Sequence, residues 1–133
     1  MALSSVIQFG DNELKKYSRE YLLADLSCHF SRKDNMMRPT TDAICESLII
    51  NVIIPEKHDR FLYEWFINNV SNNGRILVEI SDPLKDNEQV WKEILFEDAV
   101  CYSIKEYYNI DTTRRALQMG LVATKFIFSD VAF

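Results

Sequence analysis

The residue types that perform catalysis or bind metals occur in this 133-residue chain, but they are not grouped. The two histidines, His29 and His58, lie far apart, and neither belongs to an H-E-x-x-H pair. An isolated histidine acts as a general base or a ligand only when the fold brings partners to it. Phosphate-binding glycine loops and the G-x-S-x-G turn of serine hydrolases do not occur either. We therefore predict no catalytic residue, no metal site and no cofactor.

Carboxylates that could do acid–base chemistry occur as two pairs, which are Asp25 with Asp34 and Glu97 with Asp98. One possibility is an enzyme that uses Asp98 together with His29. Nothing in the sequence, however, brings a nucleophile and a base together. The simpler interpretation is that these carboxylates are solvent-exposed charges or turn formers. The sequence therefore predicts a protein that is not an enzyme.

Composition narrows the possible partners. The formal net charge is −5, and the basic residues are not clustered, which argues against a nucleic-acid groove or an anionic membrane surface. No apolar run approaches the roughly 18 residues of a membrane span. The first residues lack the basic start and apolar centre of a secretory signal. We expect a cytoplasmic protein that, if it leaves the cell, does so without a cleaved signal peptide.

The cysteines Cys28, Cys45 and Cys101 are odd in number and far apart, and no C-x-x-C motif is present. We predict that they are reduced and partly buried rather than disulfide-bonded.

Most of the chain should be β-structure. Runs of alternating, β-branched and aromatic residues predict strands over 3–9, 20–32, 43–54, 75–81, 91–108 and 117–128. A helix-like spacing over 13–21 leaves a short helix possible there. Within 91–108, Asp98 interrupts the alternation, and a β-bulge near Glu97 and Asp98 would explain the interruption.

One stretch predicts a helix, over about 57–72. Leu62, Trp65, Phe66 and Val70 recur at helical spacing, so they should share one face. Asn72, Asn73 and Gly74 would then end the helix, since these residues tolerate left-handed backbone geometry.

The strand over 43–54 has apolar residues on both faces. Leu48, Ile50, Val52 and Ile54 fall on one face with Ile44, whereas Cys45, Ile49 and Ile53 fall on the other. The strand over 117–128 is also expected to be apolar on both faces. A lone small barrel needs only one such face, so a neighbouring subunit or the helix should cover the other.

Two polar loops offer further contact residues. The loop over 32–42 places Met36 and Met37 at its tip, where they either fold back onto the domain or contact another molecule. The residues 109–116 are predicted to form a loop, in which Arg114 and Arg115 are solvated or meet a carboxylate of a partner.

The order of elements carries a family resemblance. The segment S-R-K-D-x-x-x-R-P precedes a long strand, and L-Y-E-W-F follows in the helix. The segments G-R-I-L-V-E-I and K-E-I-L-F-E-D-A-V-C-Y-S-I-K-E-Y-Y come next, before a final apolar strand. Over nearly its whole length the chain resembles the haemolysin-coregulated protein (Hcp) family of type VI secretion tube subunits, and it is most similar to the short branch found in the Bacteroidetes.

This resemblance implies a mainly β (α+β) fold over residues 1–133, a small phage-tail-tube-like β-barrel with one flanking helix. It implies hexameric rings that stack into a tube within a contractile sheath and are exported with spike and effector proteins, with no catalytic residue, no nucleic acid and no membrane insertion. Candidate contact residues between subunits and rings are Asp34, Met36, Met37, Arg38, Ile49, Ile53, Arg114 and Arg115. The alternative is a barrel that binds a small apolar ligand, for which the aromatic content of 12% is the supporting feature.

Overall fold

The computed structural model describes residues 5–31, 34–35, 38–39, 44–54, 60–81, 89–111 and 114–131. Nine strands and one helix follow one another along these residues. They are β1 (Val6–Asp11), β2 (Lys16–Ser31), β3 (Asp34–Asn35), β4 (Arg38–Pro39), β5 (Ile44–Ile53), α1 (Phe61–Ile67), β6 (Asn72–Ser81), β7 (Gln89–Asn109), β8 (Arg114–Val122) and β9 (Lys125–Val131).

Seven strands form one antiparallel sheet in the order β6-β1-β2-β5-β8-β7-β9, and β6 also pairs with β7. This additional pairing closes β1, β2, β5, β8, β7 and β6 into a ring, so the sheet is a barrel. The short strands β3 and β4 form a separate hairpin. The predicted mainly β barrel with one flanking helix is confirmed.

Buried apolar side chains fill the inside of the barrel. Alternate residues of each strand point inward, and the largest of these are fully buried, as expected for a small barrel whose interior is its core. They are Ile7, Leu48, Ile50, Val52, Ile76, Ile94, Phe96, Leu117, Met119 and Leu121.

The helix is shorter than the sequence predicts. It begins at Phe61 and ends at Ile67, and the part of the prediction over residues 57–59 lies outside the described residues. Leu62 and Trp65 are buried as expected, but Val70 follows the helix and is 45% exposed. The helix stops early because Asn69 takes a left-handed backbone conformation, with φ of 50°.

The residues predicted to end the helix belong instead to β6. Gly74 pairs with Phe9 of β1 and with Phe96 of β7, so it lies inside the sheet. A Cβ atom on Gly74 would lie 2.1 Å from the backbone oxygen of Gln8. The glycine is therefore needed for close approach of two strands rather than for a turn. The alternation of Ile76, Val78 and Ile80 predicts that all three point inward, but Ile80 is 40% exposed because β1 no longer pairs with β6 beyond Leu77.

Strand β2 differs from its predicted faces. The helix-like spacing over 13–21 is not a helix, since residues 12–15 form a turn and the strand begins at Lys16. The alternation over residues 20–32 predicts that Leu22 shares the inner face with Leu26 and Cys28, but Leu22 is 46% exposed, whereas Leu23 is buried. The register shifts between Leu23 and Asp25, so Ala24 is an extra residue, and the inward face changes from odd to even positions there.

The bulge predicted near Glu97 and Asp98 is confirmed. Asn72 pairs with Ala99 and Gly74 pairs with Phe96, which leaves Glu97 and Asp98 opposite the single residue Asn73. Asp98 has φ of 50°, and its backbone N–H donates to the side-chain oxygen Oδ1 of Asn73 at 2.8 Å.

The predicted last strand is two strands, interrupted at Ala123 and Thr124. These two strands, β8 and β9, lie along the same edge of β7. Strand β8 pairs with residues 100–109 of β7, and β9 pairs with residues 91–97. The Thr124 N–H donates to the backbone oxygen of Glu97 at 3.2 Å, so the interruption faces the bulge of β7. The outward positions of β8 are Ala116, Gln118, Gly120 and Val122, so this face is apolar except at Gln118.

Candidate assembly surface

From Leu48 to Ile54, strand β5 has the inner and outer faces that the sequence predicts, whereas nearer its start the register with β2 shifts and makes Glu46 an extra residue. Leu48, Ile50 and Val52 are fully buried in the core, and Ile54 is buried beside them. On the other face Ile49 is 39% exposed, so one copy of the chain does not cover it. The side chains of Ile44 and Cys45 lie outside the described residues.

The surface around Ile49 belongs to four strands that we call the four-strand wall. The wall consists of β2 beyond Leu23, all of β5, all of β8, and β7 beyond Ala99. Its outward face is the face that carries Ile49 and points away from the barrel core. In register with Ile49 lie Ser27 on β2 and Gly120 on β8, and Ser103 on β7 continues the row.

Tyr102 adds an aromatic ring to this surface. It is the extra residue of a bulge, because Cys101 pairs with Leu121 and Ser103 with Gly120. A Cβ atom on Gly120 would lie 2.5 Å from Cζ of Tyr102, so the ring rests on the glycine. Tyr102 is itself 49% exposed. Ile49, Gly120 and Tyr102 therefore form one apolar patch, which we call the Ile49 patch.

Only part of this patch could be predicted from the sequence. Ile49 was a candidate because its strand alternates on both faces. Tyr102 and Gly120 were missed, since they meet only through a bulge and a cross-strand register. The available signal was Gly120 itself, one of three glycines in the chain, placed within an apolar strand.

The structure does not bring the other predicted contact residues to the Ile49 patch. Ile53 is half-buried on the same outward face, in register with Leu22 and Ala116. Asp34 and Arg38 lie in the β3–β4 hairpin, where Asp34 pairs with Pro39 and Asn35 with Arg38, and their side chains are outside the described residues. Met36 and Met37 are outside the described residues altogether.

Arg114 and Arg115 are not in a loop, because β8 begins at Arg114. The N–H of Ile54 donates to the backbone oxygen of Arg115 at 3.1 Å. The side chain of Arg115 is half-buried on the side of the barrel that α1 covers, and that of Arg114 lies outside the described residues.

The helix is attached to β7 by one buried and one exposed side-chain hydrogen bond. Nε1–H of Trp65 donates to the backbone oxygen of Ala99 at 2.9 Å. The hydroxyl of Tyr63 donates to one carboxylate oxygen of Glu106, and the hydroxyl of Tyr108 donates to the other at 2.7 Å. These two hydroxyls, first Tyr108 and then Tyr63, lower the pKa of Glu106 below its ordinary value. Burial, followed by the bond to Glu106, raises the pKa of Tyr63 to about 12.

On the outward face of β2, β1, β6 and β7, four polar side chains bind one another within one copy. Nε2–H of Gln8 donates to Glu20 at 2.7 Å, and Nε–H of Arg75 donates to Gln8 at 2.7 Å. Arg75 also forms a salt bridge with Glu93 at 3.0 Å. This ladder crosses four strands, and its members need no second copy as a partner.

Among the described residues, no group of three or more histidine, cysteine, aspartate or glutamate side chains could hold a metal ion. Within the same residues, no helix is long and apolar enough to cross a membrane.

The fold is a small closed barrel with a flanking helix, and its four-strand wall carries one uncovered apolar patch. The family model described as Hemolysin coregulated protein Hcp (TssD) matches residues 1–133, so the chain belongs to this family. The resemblance inferred from the sequence motifs is thereby confirmed. No curated protein matches the chain.

Solved structures share the fold at low sequence identity. Hcp1 from Flavobacterium johnsoniae has a TM-score of 0.67 at 17% identity, covering 98% of this chain and 100% of that one. Hcp1 from the E. coli EAEC 042 pathovar has a TM-score of 0.66 at 9% identity, with 98% and 99% covered. A chain of the anti-feeding prophage baseplate, a 6-fold symmetrised structure, has a TM-score of 0.52 at 8% identity, with 97% and 94% covered.

Proposed function

We propose that this chain is the structural subunit of a type VI secretion inner tube, which assembles as stacked hexameric rings. The observation that carries the proposal is β5, in which Leu48, Ile50 and Val52 are fully buried on the inner face while Ile49 on the outer face stays 39% exposed. Apolar surface left open on a folded chain is stabilised when another molecule removes it from water. In a ring of identical copies, each copy provides that cover for the next.

Family membership over residues 1–133 supports the role of a tube subunit. The number six is supported by the baseplate structure described as 6-fold symmetrised, whose chain shares this fold. The proposed contacts between copies include Ile49 and Ile53 on the wall, Arg114 and Arg115 at the start of β8, and Asp34, Met36, Met37 and Arg38 in the polar loop.

The proposed partners follow from the same role. The tube would lie within the sheath, carry the spike at its end, and be exported with effector proteins from the cytoplasm without a cleaved signal peptide. A passive conduit of this kind needs no catalytic residue, which agrees with a family of structural tube proteins.

The ligand-binding alternative is not favoured by the structure. A carrier barrel needs an interior cavity lined by aromatic and aliphatic residues. Here the inward residues Ile50, Ile94, Phe96 and Met119 are each 0% exposed, because they fill the interior against one another. The aromatic content that supported this alternative is used for packing, as in the contact of Phe9 with Trp65 at a ring-centroid distance of 5.2 Å.

The experiment that tests the proposal is a mass measurement by light scattering over a range of protein concentrations, together with negative-stain electron microscopy. We expect a species of six times the 15.6 kDa chain mass, visible as rings with a central hole. A chain that remains a monomer at the highest soluble concentration would contradict the proposal.

A further inference from the structure

An asparagine directly precedes a glycine near the start of β6, as the dipeptide Asn73–Gly74. The chain has three glycines, and Gly74 is the one that follows an asparagine. In an unfolded chain this dipeptide is chemically labile, because glycine has no side chain that hinders attack by its own nitrogen on the preceding side-chain amide. Asparagine is for this reason one of the residues that limit the chemical lifetime of proteins.

The packing of the barrel requires the glycine of this dipeptide. Gly74 is buried and lies in register with Phe9 on one side and Phe96 on the other. A Cβ atom here would lie 2.1 Å from the backbone oxygen of Gln8 and 2.7 Å from Cζ of Phe96. A residue with a side chain therefore does not fit, and the fold retains the labile dipeptide.

The bulge in β7 requires a side-chain acceptor at position 73. Asn73 lies opposite Glu97 and Asp98, and its Oδ1 accepts the backbone N–H of Asp98 at 2.8 Å. The side chain thus supplies the partner that the bulge removes from the ladder. An aspartate could accept the same bond, but it would add a like charge to an open cleft of about 320 Å³ that Asn73 lines together with Asp11, Glu13 and Glu97.

The reaction open to this dipeptide is deamidation, which needs only water. The backbone nitrogen of Gly74 attacks Cγ of Asn73, and a new C–N bond closes a five-membered succinimide ring. The proton of the Gly74 nitrogen passes through water to the departing amide, which leaves as ammonia. Water then opens the ring at either of its two carbonyls. One opening gives aspartate, and the other gives isoaspartate, in which the main chain runs through the former side chain.

The folded sheet opposes closure of this ring. Closure requires rotation of the backbone between Asn73 and Gly74, and it requires the amide of Asn73 to turn toward the nitrogen of Gly74. Pairing of Gly74 with β1 and β7 holds the backbone extended, and the bond from the N–H of Asp98 holds the amide toward β7. Both restraints are released when β6 leaves the sheet, so the reaction belongs to the opened or unfolded chain.

The two products differ in how well they fit the barrel. Aspartate keeps the length of the main chain and an oxygen for the N–H of Asp98. Isoaspartate adds one carbon atom to the main chain before Gly74, which displaces the glycine from the site where its backbone closely approaches Gln8. The register of β6 with both neighbouring strands is then lost.

We propose that Asn73 is a site of spontaneous deamidation that the folded sheet keeps unreacted. A chain that stays unfolded acquires isoaspartate at this position and can no longer close the barrel. The bulge opposite Asn73 therefore separates chains according to the time that they have spent unfolded. This inference concerns a single copy of the chain and does not rest on the proposed ring.

Peptide mapping by mass spectrometry tests where the reaction occurs. The full chain is incubated at mildly alkaline pH over a series of urea concentrations, and chromatography separates the asparagine, aspartate and isoaspartate forms of the peptide. We expect the rate at Asn73 to follow the unfolded fraction across the urea transition, and to be at least about tenfold slower in the folded protein.

Asn69 is the internal control for this measurement. It is exposed outside the sheet, and the branched side chain of Val70 hinders attack in the folded and the unfolded chain alike, so Asn69 should stay behind Asn73 in urea. A rate at Asn73 that is the same in the folded protein as in urea would overturn the inference. Absence of deamidation at Asn73 in urea would overturn it as well.

A refolding experiment tests the consequence for the barrel. Chains incubated in urea are diluted, and the folded fraction is isolated by size-exclusion chromatography. We expect isoaspartate at position 73 to be at least about tenfold depleted in this fraction relative to all chains. Isoaspartate equally abundant in both would show that the modified chain still closes the barrel, which would overturn this part of the proposal.

The variant Asn73→Asp is the matched control for the second product. It carries the new charge without the lengthened main chain, so it should fold with the circular dichroism spectrum of wild type. Failure of Asn73→Asp to fold would overturn the role given to the lengthened main chain, because charge alone would then exclude the modified chain.

Discussion

The indole N–H of Trp65 donates to the backbone oxygen of Ala99 at 2.9 Å, and both residues are buried. Ala99 is the last residue of β7 that pairs with β6, so this bond attaches the helix at the point where β6 ends. The ring of Trp65 also meets Phe9 edge-on, with centroids 5.2 Å apart. The helix therefore covers the core where one side of the barrel stops.

Replacing Trp65 should show how much this hydrogen bond contributes to the free energy of unfolding. We expect Trp65→Phe to lower the free energy of unfolding by about 2 kcal/mol, because it leaves a buried carbonyl without a donor. Ile67→Ala on the same helix is the matched control, since Ile67 is 70% exposed, and it should change stability by less than about 0.5 kcal/mol. Urea denaturation followed by circular dichroism measures both, and equal effects of the two changes would refute the attachment.

Two glycines should respond differently to alanine. On Gly74 the new Cβ would lie 2.1 Å from the backbone oxygen of Gln8, and a strand backbone cannot move aside. We expect Gly74→Ala to cost about 3 kcal/mol of stability. On Gly120 the nearest atom, at 2.5 Å, belongs to the exposed ring of Tyr102, which can rotate away, so Gly120→Ala should cost about 1 kcal/mol.

A second change isolates the cause at Gly120. Adding Tyr102→Ala to Gly120→Ala should remove part of the penalty in thermal or urea denaturation, because the ring is the nearer of the two side chains that the new Cβ would meet. The other is Ser103, whose Oγ would lie 2.6 Å away. A double variant no more stable than Gly120→Ala would show that the ring does not rest on the glycine.

Alkaline pH should weaken the attachment of Tyr63 to Glu106. The pKa of Tyr63 is raised from 10.0 to about 12, so the folded state favours the protonated hydroxyl. Its contribution to stability is complete below the unfolded value of 10.0 and is lost as the pH rises toward 12. We expect Tyr63→Phe to reduce the loss of stability over this interval, as measured by urea midpoints at successive pH values.

The dependence of folding stability on acid pH provides an independent check on the pair of Tyr63 and Glu106. Because the pKa of Glu106 is lowered below 4.5, its contribution is present above that value and is lost as the pH falls through the folded pKa. Glu106→Gln should therefore flatten the acid side of the stability profile. Tyr107→Phe, whose ring contacts Lys105 instead, is the control for both limbs. If stability fell as steeply with rising alkaline pH in Tyr63→Phe as in wild type, this account would be contradicted.

The sequence predicted the features that depend on local periodicity. The alternation around Ile49 identified a strand with one buried and one open apolar face, and the interruption at Asp98 located a bulge. The spacing of Leu62 and Trp65 identified the buried side of the helix. In each case the pattern is set by neighbours along the chain, so no knowledge of strand pairing is needed.

Features that depend on pairing between distant strands could not be predicted. The bulge at Ala24 reverses the faces of β2, and alanine gives no sign of it, which is why Leu22 was placed inside. Gly74 suggests the end of a helix, yet it serves close contact between β6 and its neighbours. The contact of Tyr102 with Gly120 likewise arises only from the cross-strand register.

The central claim is that a second copy covers the outward face of β5. Ile49→Asp places a carboxylate on that face while leaving the buried residues unchanged, so the monomer should remain folded and ring formation should be lost. Leu14→Asp is the matched control, because Leu14 is 65% exposed in the β1–β2 turn and lies off the four-strand wall.

The most direct test is the molar mass of these three proteins by light scattering at one high concentration. The account predicts six chains for wild type and Leu14→Asp and one chain for Ile49→Asp, with circular dichroism unchanged. Rings of Ile49→Asp as stable as those of wild type, or a wild-type chain that is monomeric throughout, would contradict it.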